Sequence, residues 1–217
     1  MASARTVFDY TLTSVLVASA LAVATVAVRR EFFPRTAPAA VRAIDGWQAL
    51  ATERLPVMGD AGAQSRVVLF SDFQCPYCRD LERKLSDALP GMHGRVAVVR
   101  YDLPLTRVHA HAYQAAIAAR CAARQGQAEA FDAALFGRDL DRPGLDFARI
   151  AGESGVRDLA AFIECARQPA IARGVDADMA LAHRLGIEGV PALIVDGKLY
   201  AGTMAASDLQ ALLSDAL

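Results

Sequence analysis

Cys75 and Cys78 are the residues of this chain whose type and spacing most directly suggest chemistry. They lie in "FSDFQCPYCRDLERKL", Phe70 to Leu85, where an apolar run gives way to a helix-like pattern. Two cysteines separated by two residues can be a redox pair, half of a metal site or a structural staple. A zinc site needs two more ligands at suitable spacing. The remaining cysteines, Cys121 and Cys165, are isolated, and His109 and His111 form no tight second pair with them. No metal and no cofactor is expected. A staple across so short a loop would remove little chain entropy.

The redox reading has a physical basis in the helix start. Cys75 falls at the N-cap and Pro76 at the first helical position, where a missing N–H costs nothing. The free backbone N–H groups and the dipole at that end favour a thiolate. Cys75 is therefore expected to have a lowered pKa, to stay exposed and to attack first. Cys78 shares a helix face with Leu81, Leu85 and Leu89, so it is expected to be shielded and to resolve the mixed disulfide. Pro76 and Tyr77, between the two, would tune the potential.

The elements that must hold this pair can be read from pattern. "SRVVLF", Ser65 to Phe70, is a short buried strand, followed by a helix from about Cys75 to Leu89. Arg95 to Leu103 is a second strand. Helical patterns then run over Val108–Gln125, Gln127–Phe136, Leu145–Ala151, Val156–Arg167 and Pro169–Leu185. Pro191–Gly197 and "KLYAG" read as a strand pair joined by "DGK", and Ala205–Leu217 as a closing helix. This order predicts an α/β fold, a mixed sheet flanked by helices, with a helical block inserted at about residues 106–187. His109 and His111 open the first long helix and read as surface or packing histidines. The stripe Ala112, Ala115, Ala116 and Ala119 reads as close helix packing.

The amino terminus differs from the rest. From Thr11 to Val28 no residue is charged, and 18 residues at ~1.5 Å each span roughly 27 Å, enough to cross a bilayer core. Arg29 and Arg30 close the run. Residues 1–30 are thus an N-terminal transmembrane anchor or a cleaved signal, and the length and the arginines favour the anchor. Residues 31–62, with Pro34, Pro38, Gly46, Pro56, Gly59 and Gly62, read as a tether. Within them "AIDGWQALA" is a strand or clasp that holds Trp47 against the main domain, residues 63–217. A net charge of −1 gives no field suited to nucleic acid.

"FSDFQCPYC" resembles the active-site stretch of the DsbA-like thiol–disulfide oxidoreductases of the thioredoxin superfamily. "GVPALIVDGKLYAG", Gly189 to Gly202, is similar to that superfamily's cis-proline loop and following hairpin. "AARCAARQGQAEAFDAALF" and "FIEC" are similar to its inserted helical domain. The resemblance implies a thioredoxin fold over residues 63–217 and a cis Val190–Pro191 bond beside Cys75. It also implies that the Val190 backbone pairs with an extended client peptide. Cys121 and Cys165 read by themselves as small buried hydrophobes; the resemblance implies that they are joined. That disulfide would need an oxidising compartment. Arg5 against Arg29, Arg30 and Arg35 would by the positive-inside rule keep the domain in the cytoplasm. We follow the cysteines and place it outside the bacterial inner membrane, facing the periplasm.

One position departs from the superfamily. The acid often found six residues before the first cysteine is Leu69 here. Asp72, three residues further on, reads as a turn or capping residue, which leaves proton transfer at Cys78 to water. The expected activity is formation of disulfides in cysteine-containing client proteins by a monomer. Reoxidation would come from a membrane redox partner, such as a quinone-linked oxidase, or from small-molecule oxidants. A reductase or isomerase of the same fold, and a thioredoxin-like chaperone that holds peptides, are the alternatives.

Overall fold

The computed structural model describes residues 15–21, 40 and 42–216, in two units, residues 1–37 and 38–217. In the first unit, residues 15–21 are helical (α1), with exposed side chains. Most of the apolar run expected to span a membrane, Thr11 to Val28, lies outside the described residues. Among those described, no helix is long and apolar enough to cross a membrane.

The second unit is built on a six-stranded sheet. Its strands are β1 (Arg42–Ala43), β2 (Met58–Gly59), β3 (Ser65–Ser71), β4 (Val96–Asp102), β5 (Ala192–Val195) and β6 (Lys198–Ala201). Their order is β1-β6-β5-β3-β4-β2. Only β3 and β4 run parallel, with Leu69 opposite Arg100; the other pairs are antiparallel. The parallel pair needs a crossover, which α3 (Pro76–Ala88) supplies. β5 and β6 close as a hairpin on Asp196 and Gly197, both at positive φ.

β3 is apolar at consecutive positions because both faces of the sheet are covered. Val67 and Leu69 pack with Leu81 and Leu85 of α3 and with Leu209 and Leu213 of α9 (Ala206–Asp215). Val68 and Phe70 face the opposite layer, with Ala182 and Ile187, and the Phe70 ring stacks on Tyr101. Between β4 and β5 the chain forms α4 (Ala112–Ala123), α5 (Ala128–Phe136), α6 (Phe147–Glu153), α7 (Leu159–Arg167) and α8 (Pro169–Arg184). Asp146 and Asp158 cap α6 and α7 through their carboxylates, and Pro169 starts α8. A Cys121–Cys165 disulfide, with Cα atoms 5.8 Å apart, joins α4 to α7.

The structure refines the sequence reading in three places. The segment expected as a strand or clasp around Trp47 is the two-residue β1 followed by a helix, α2 (Trp47–Thr52). Trp47 does lie on the domain: a Cβ on Gly197 would stand 2.7 Å from its Cδ1, and Gly197 has φ +74°. β2, which the pattern did not suggest, pairs with the outer side of β4. The first long helix starts at Ala112 rather than near Val108. The Leu105 N–H and the His109 ring are both held by the Asp72 carboxylate, which keeps residues 105–109 in turns.

Candidate active site

Cys75 is the N-cap of α3, with extended backbone (φ −70°, ψ 121°), and Pro76 follows at the first turn. The Cys75 N–H donates to the Asp72 carbonyl at 3.2 Å, and the Cys75 carbonyl accepts from Arg79 N–H at 3.1 Å. Val190–Pro191 is a cis peptide, and the Cys75 sulphur lies 3.9 Å from the Val190 carbonyl oxygen. Residues 115 apart in sequence are thus brought to one point. Both active-site thiols are free.

Cys78 is completely buried, in line with the shielding expected of it. Cys75 was expected to be exposed, but it is only 4% exposed. The Val190 loop covers it, and it joins the core of the helical insertion beside Phe73 and Cys78. Pro76 and Tyr77 are the outward-facing residues of the motif, Tyr77 at 63% exposure.

The two thiols are electrostatically unlike. The Cys75 thiol is brought down to about 6. The chief cause is a hydrogen bond from the Cys78 thiol, and the backbone N–H groups of Cys78 and Tyr77 add to it. Burial and the Asp72 charge oppose them. Cys78 is pushed far up, first by burial and then by the neighbouring Cys75 sulphur, with the Asp72 main-chain N–H working the other way. At neutral pH the pair is one thiolate and one thiol, and the thiol donates to the thiolate.

Leu69 is fully buried and carries no acid. Instead a charged cluster lies nearby in the fold. Glu82, one helical turn beyond Cys78, is pushed up to about 8 by burial. Arg100, the cross-strand partner of Leu69, pairs with Asp132 and, at 3.4 Å, with Asp102. Sequence reasoning passed over Glu82 because it sits on a helix whose other charges are solvated.

Asp72 is more than a turn residue. Its Oδ1 accepts from Gln74 N–H at 2.8 Å, which is the expected local turn. Its Oδ2 accepts from Leu105 N–H at 2.8 Å and lies 2.8 Å from His109 Nδ1. His109 was read as a surface or packing residue, and only the tertiary fold gives it this partner. His111 contributes its N–H to the Gln74 side chain. Among the described residues no group of three or more acidic, histidine or cysteine side chains could hold a metal.

A dithiol at a helix start, beside a cis-proline loop on a mixed sheet, defines a thioredoxin-like protein. A family model described as thioredoxin matches residues 51–215, and the chain belongs to that family, among its DsbA-like thiol–disulfide oxidoreductases. The chain is similar to a thioredoxin-like oxidoreductase from Silicibacter pomeroyi (29% identity, TM-score 0.61). That similarity covers 73% of this chain and 90% of the other. Pseudomonas aeruginosa DsbA2 is 26% identical, with a TM-score of 0.59, over 73% of this chain and 92% of its own. The thiol–disulfide exchange protein α-DsbA2 of Wolbachia pipientis shares the fold at 17% identity and TM-score 0.68, over 78% and 91% of the two chains. The match to the Na(+)/H(+) antiporter NhaA 3 of Salinispora tropica is 34% identical over 151 residues, 69% of this chain. The chain spans about a quarter of the length of the curated relatives it matches (23% for this one).

Proposed function

We propose that this chain is an extracytoplasmic thiol–disulfide oxidoreductase that forms disulfides in client proteins, with Cys75 as the nucleophilic cysteine and Cys78 as the resolving one. The observation that carries the reading is the asymmetry of the thiols: Cys75 held down to about 6 and Cys78 pushed up. A low thiol pKa stabilises the reduced enzyme and so makes its disulfide a stronger oxidant.

The exchange follows from this. A client thiolate attacks Cys75 Sγ of the Cys75–Cys78 disulfide, and the S–S bond breaks toward Cys78, which takes a proton. A second client thiolate then attacks the client sulphur of the mixed disulfide, and Cys75 leaves as the stabilised thiolate. The client loses two electrons and gains a disulfide; the enzyme disulfide receives them and becomes the dithiol. Val190, with its carbonyl beside Cys75, offers a backbone acceptor to an extended client segment. Pro76 and Tyr77 tune the thiolate, and Pro191 shapes the loop. A membrane redox partner, such as a quinone-linked oxidase, would take the electrons onward. The Cys121–Cys165 disulfide supports an oxidising compartment, and the uncharged run before Arg29 supports a membrane anchor.

Ion transport belongs to the antiporters at their full length. A 151-residue match has the size of a thioredoxin-like domain and supports only that shared piece. The test is the Cys75/Cys78 midpoint potential together with Cys75→Ser. An oxidase requires a value near roughly −120 mV, whereas roughly −270 mV would make the protein a reductase. Cys75→Ser should abolish both mixed-disulfide capture and client oxidation. If client binding alone persists in an otherwise inert wild type, a peptide-holding chaperone is the better description.

A further inference from the structure

Asp72 touches both cysteines through its backbone: its carbonyl accepts from Cys75 N–H, and its N–H faces the Cys78 sulphur. Its carboxylate is buried, with a side chain 0% exposed. A buried carboxylate this close works against a thiolate on Cys75, which is the charge that exchange chemistry needs. Three N–H groups hold the carboxylate: the Gln74 and Leu105 amides and the His109 ring. An ionised carboxylate only accepts, so His109 Nδ1 carries the hydrogen. The two amides are fixed parts of the main chain. His109 is the side chain that balances Asp72, and it comes from the start of the helical insertion, 37 residues away in sequence.

Resting on the oxidoreductase reading above, we propose that Asp72 and His109 form a hydrogen-bonded pair behind the dithiol, with His109 as a positioning residue for exchange at Cys75. Asp72 restrains ionisation of Cys75, and His109 offsets that restraint by drawing the carboxylate's charge toward itself. The pair also couples the inserted helices to the active-site loop, because the same oxygen of Asp72 holds Leu105 and His109. The Asp72 charge and its histidine therefore have opposite effects on the thiolate, which a purely structural bond would not.

The test is a double-mutant cycle on full-length protein. The readouts are the thiolate absorbance of Cys75 against pH and the equilibrium with a glutathione redox buffer. Asp72→Asn removes the charge and should shift the thiolate/thiol ratio of Cys75 up by roughly three- to tenfold, making the Cys75–Cys78 disulfide more oxidising. His109→Ala should shift both in the opposite direction by a similar factor. In the Asp72→Asn background, His109→Ala should have little further effect. His109→Gln, which can donate to the carboxylate again, should lie between wild type and His109→Ala. Shifts of the same sign in Asp72→Asn and His109→Ala, or additive shifts in the double variant, would overturn the proposal. If Asp72→Asn does not fold, identical titrations for His109→Ala and His109→Gln overturn it by themselves. Failure of the parent reading looks different: Cys75→Ser would retain client oxidation whatever the His109 variants do.

Discussion

Replacing Cys78 by Ala tests the origin of the reactive thiol most directly. The hydrogen bond from Cys78 is the largest cause holding Cys75 at about 6. The substitution removes that donor but keeps the backbone N–H groups of residues 77 and 78. The Cys75 pKa should therefore rise toward the free value of about 8.5. At pH 7 a thiol at about 6 is roughly ten parts thiolate to one part thiol, and one at about 8.5 is roughly one in thirty. A thiolate of higher pKa is also more nucleophilic, and a Brønsted slope of about 0.4–0.5 returns roughly tenfold of that loss. The alkylation rate at pH 7 thus falls by only about threefold. At pH 5 the thiolate fraction differs by about 300-fold, and the net rate by about twenty- to thirtyfold. The assay is the rate of iodoacetamide labelling of the reduced protein across pH. In the wild type Cys78 stays protonated, so labelling reports Cys75 alone. A midpoint that does not move on Cys78→Ala would refute the reasoning and assign the lowered value to the helix amides.

The other expectations concern stability. The unfolded thiol titrates at about 8.5 and the folded Cys75 at about 6, so the reduced fold gains stability as pH rises from 6 to 8.5. It loses that stability as pH falls through 6, whereas the oxidised fold has no thiol there to titrate; paired denaturant melts on the two redox forms should show this. Replacing Cys121 and Cys165 together by Ala opens a link across 44 residues, worth about 4 kcal/mol by loop entropy, and should lower Tm by roughly 8–16 °C in calorimetry. Asp178 is buried and accepts from Arg54, Arg120 and the Asp102 N–H. Asp178→Ala should cost about 3–5 kcal/mol by chemical unfolding, because Arg54 loses its carboxylate, Arg120 keeps only Asp102, and the Asp102 N–H loses its acceptor.

Much of this fold could be read locally. β3, α3 and the five helices of the insertion carry their own periodicity, and Cys75, Pro76 and Cys78 carry their chemistry in four adjacent residues. What escaped was short or long-range. β1 and β2 have two residues each, too few for an alternating pattern. The burial of Cys75 comes from Val190, 115 residues away, so no helix-start argument contains it. Asp72 looks like a capping residue because half of its role is one, the Gln74 turn; the other half comes from His109. Asp178 gives no signal on α8, since its partners come from α4, β4 and the turn after α2.

The two-residue strands at both borders of the sheet have a consequence for how it meets extended polypeptides. A long bare strand at a border would recruit any extended polypeptide through its free N–H and C=O groups, and so seed aggregation. Here each border ends in a stub, and β2 finishes at Gly59, pressed so close to β4 that a Cβ would stand 2.6 Å from the Val96 carbonyl. On the oxidoreductase reading proposed above, such a periphery would deny incompletely folded clients a template and would leave main-chain docking to the Val190 loop beside Cys75.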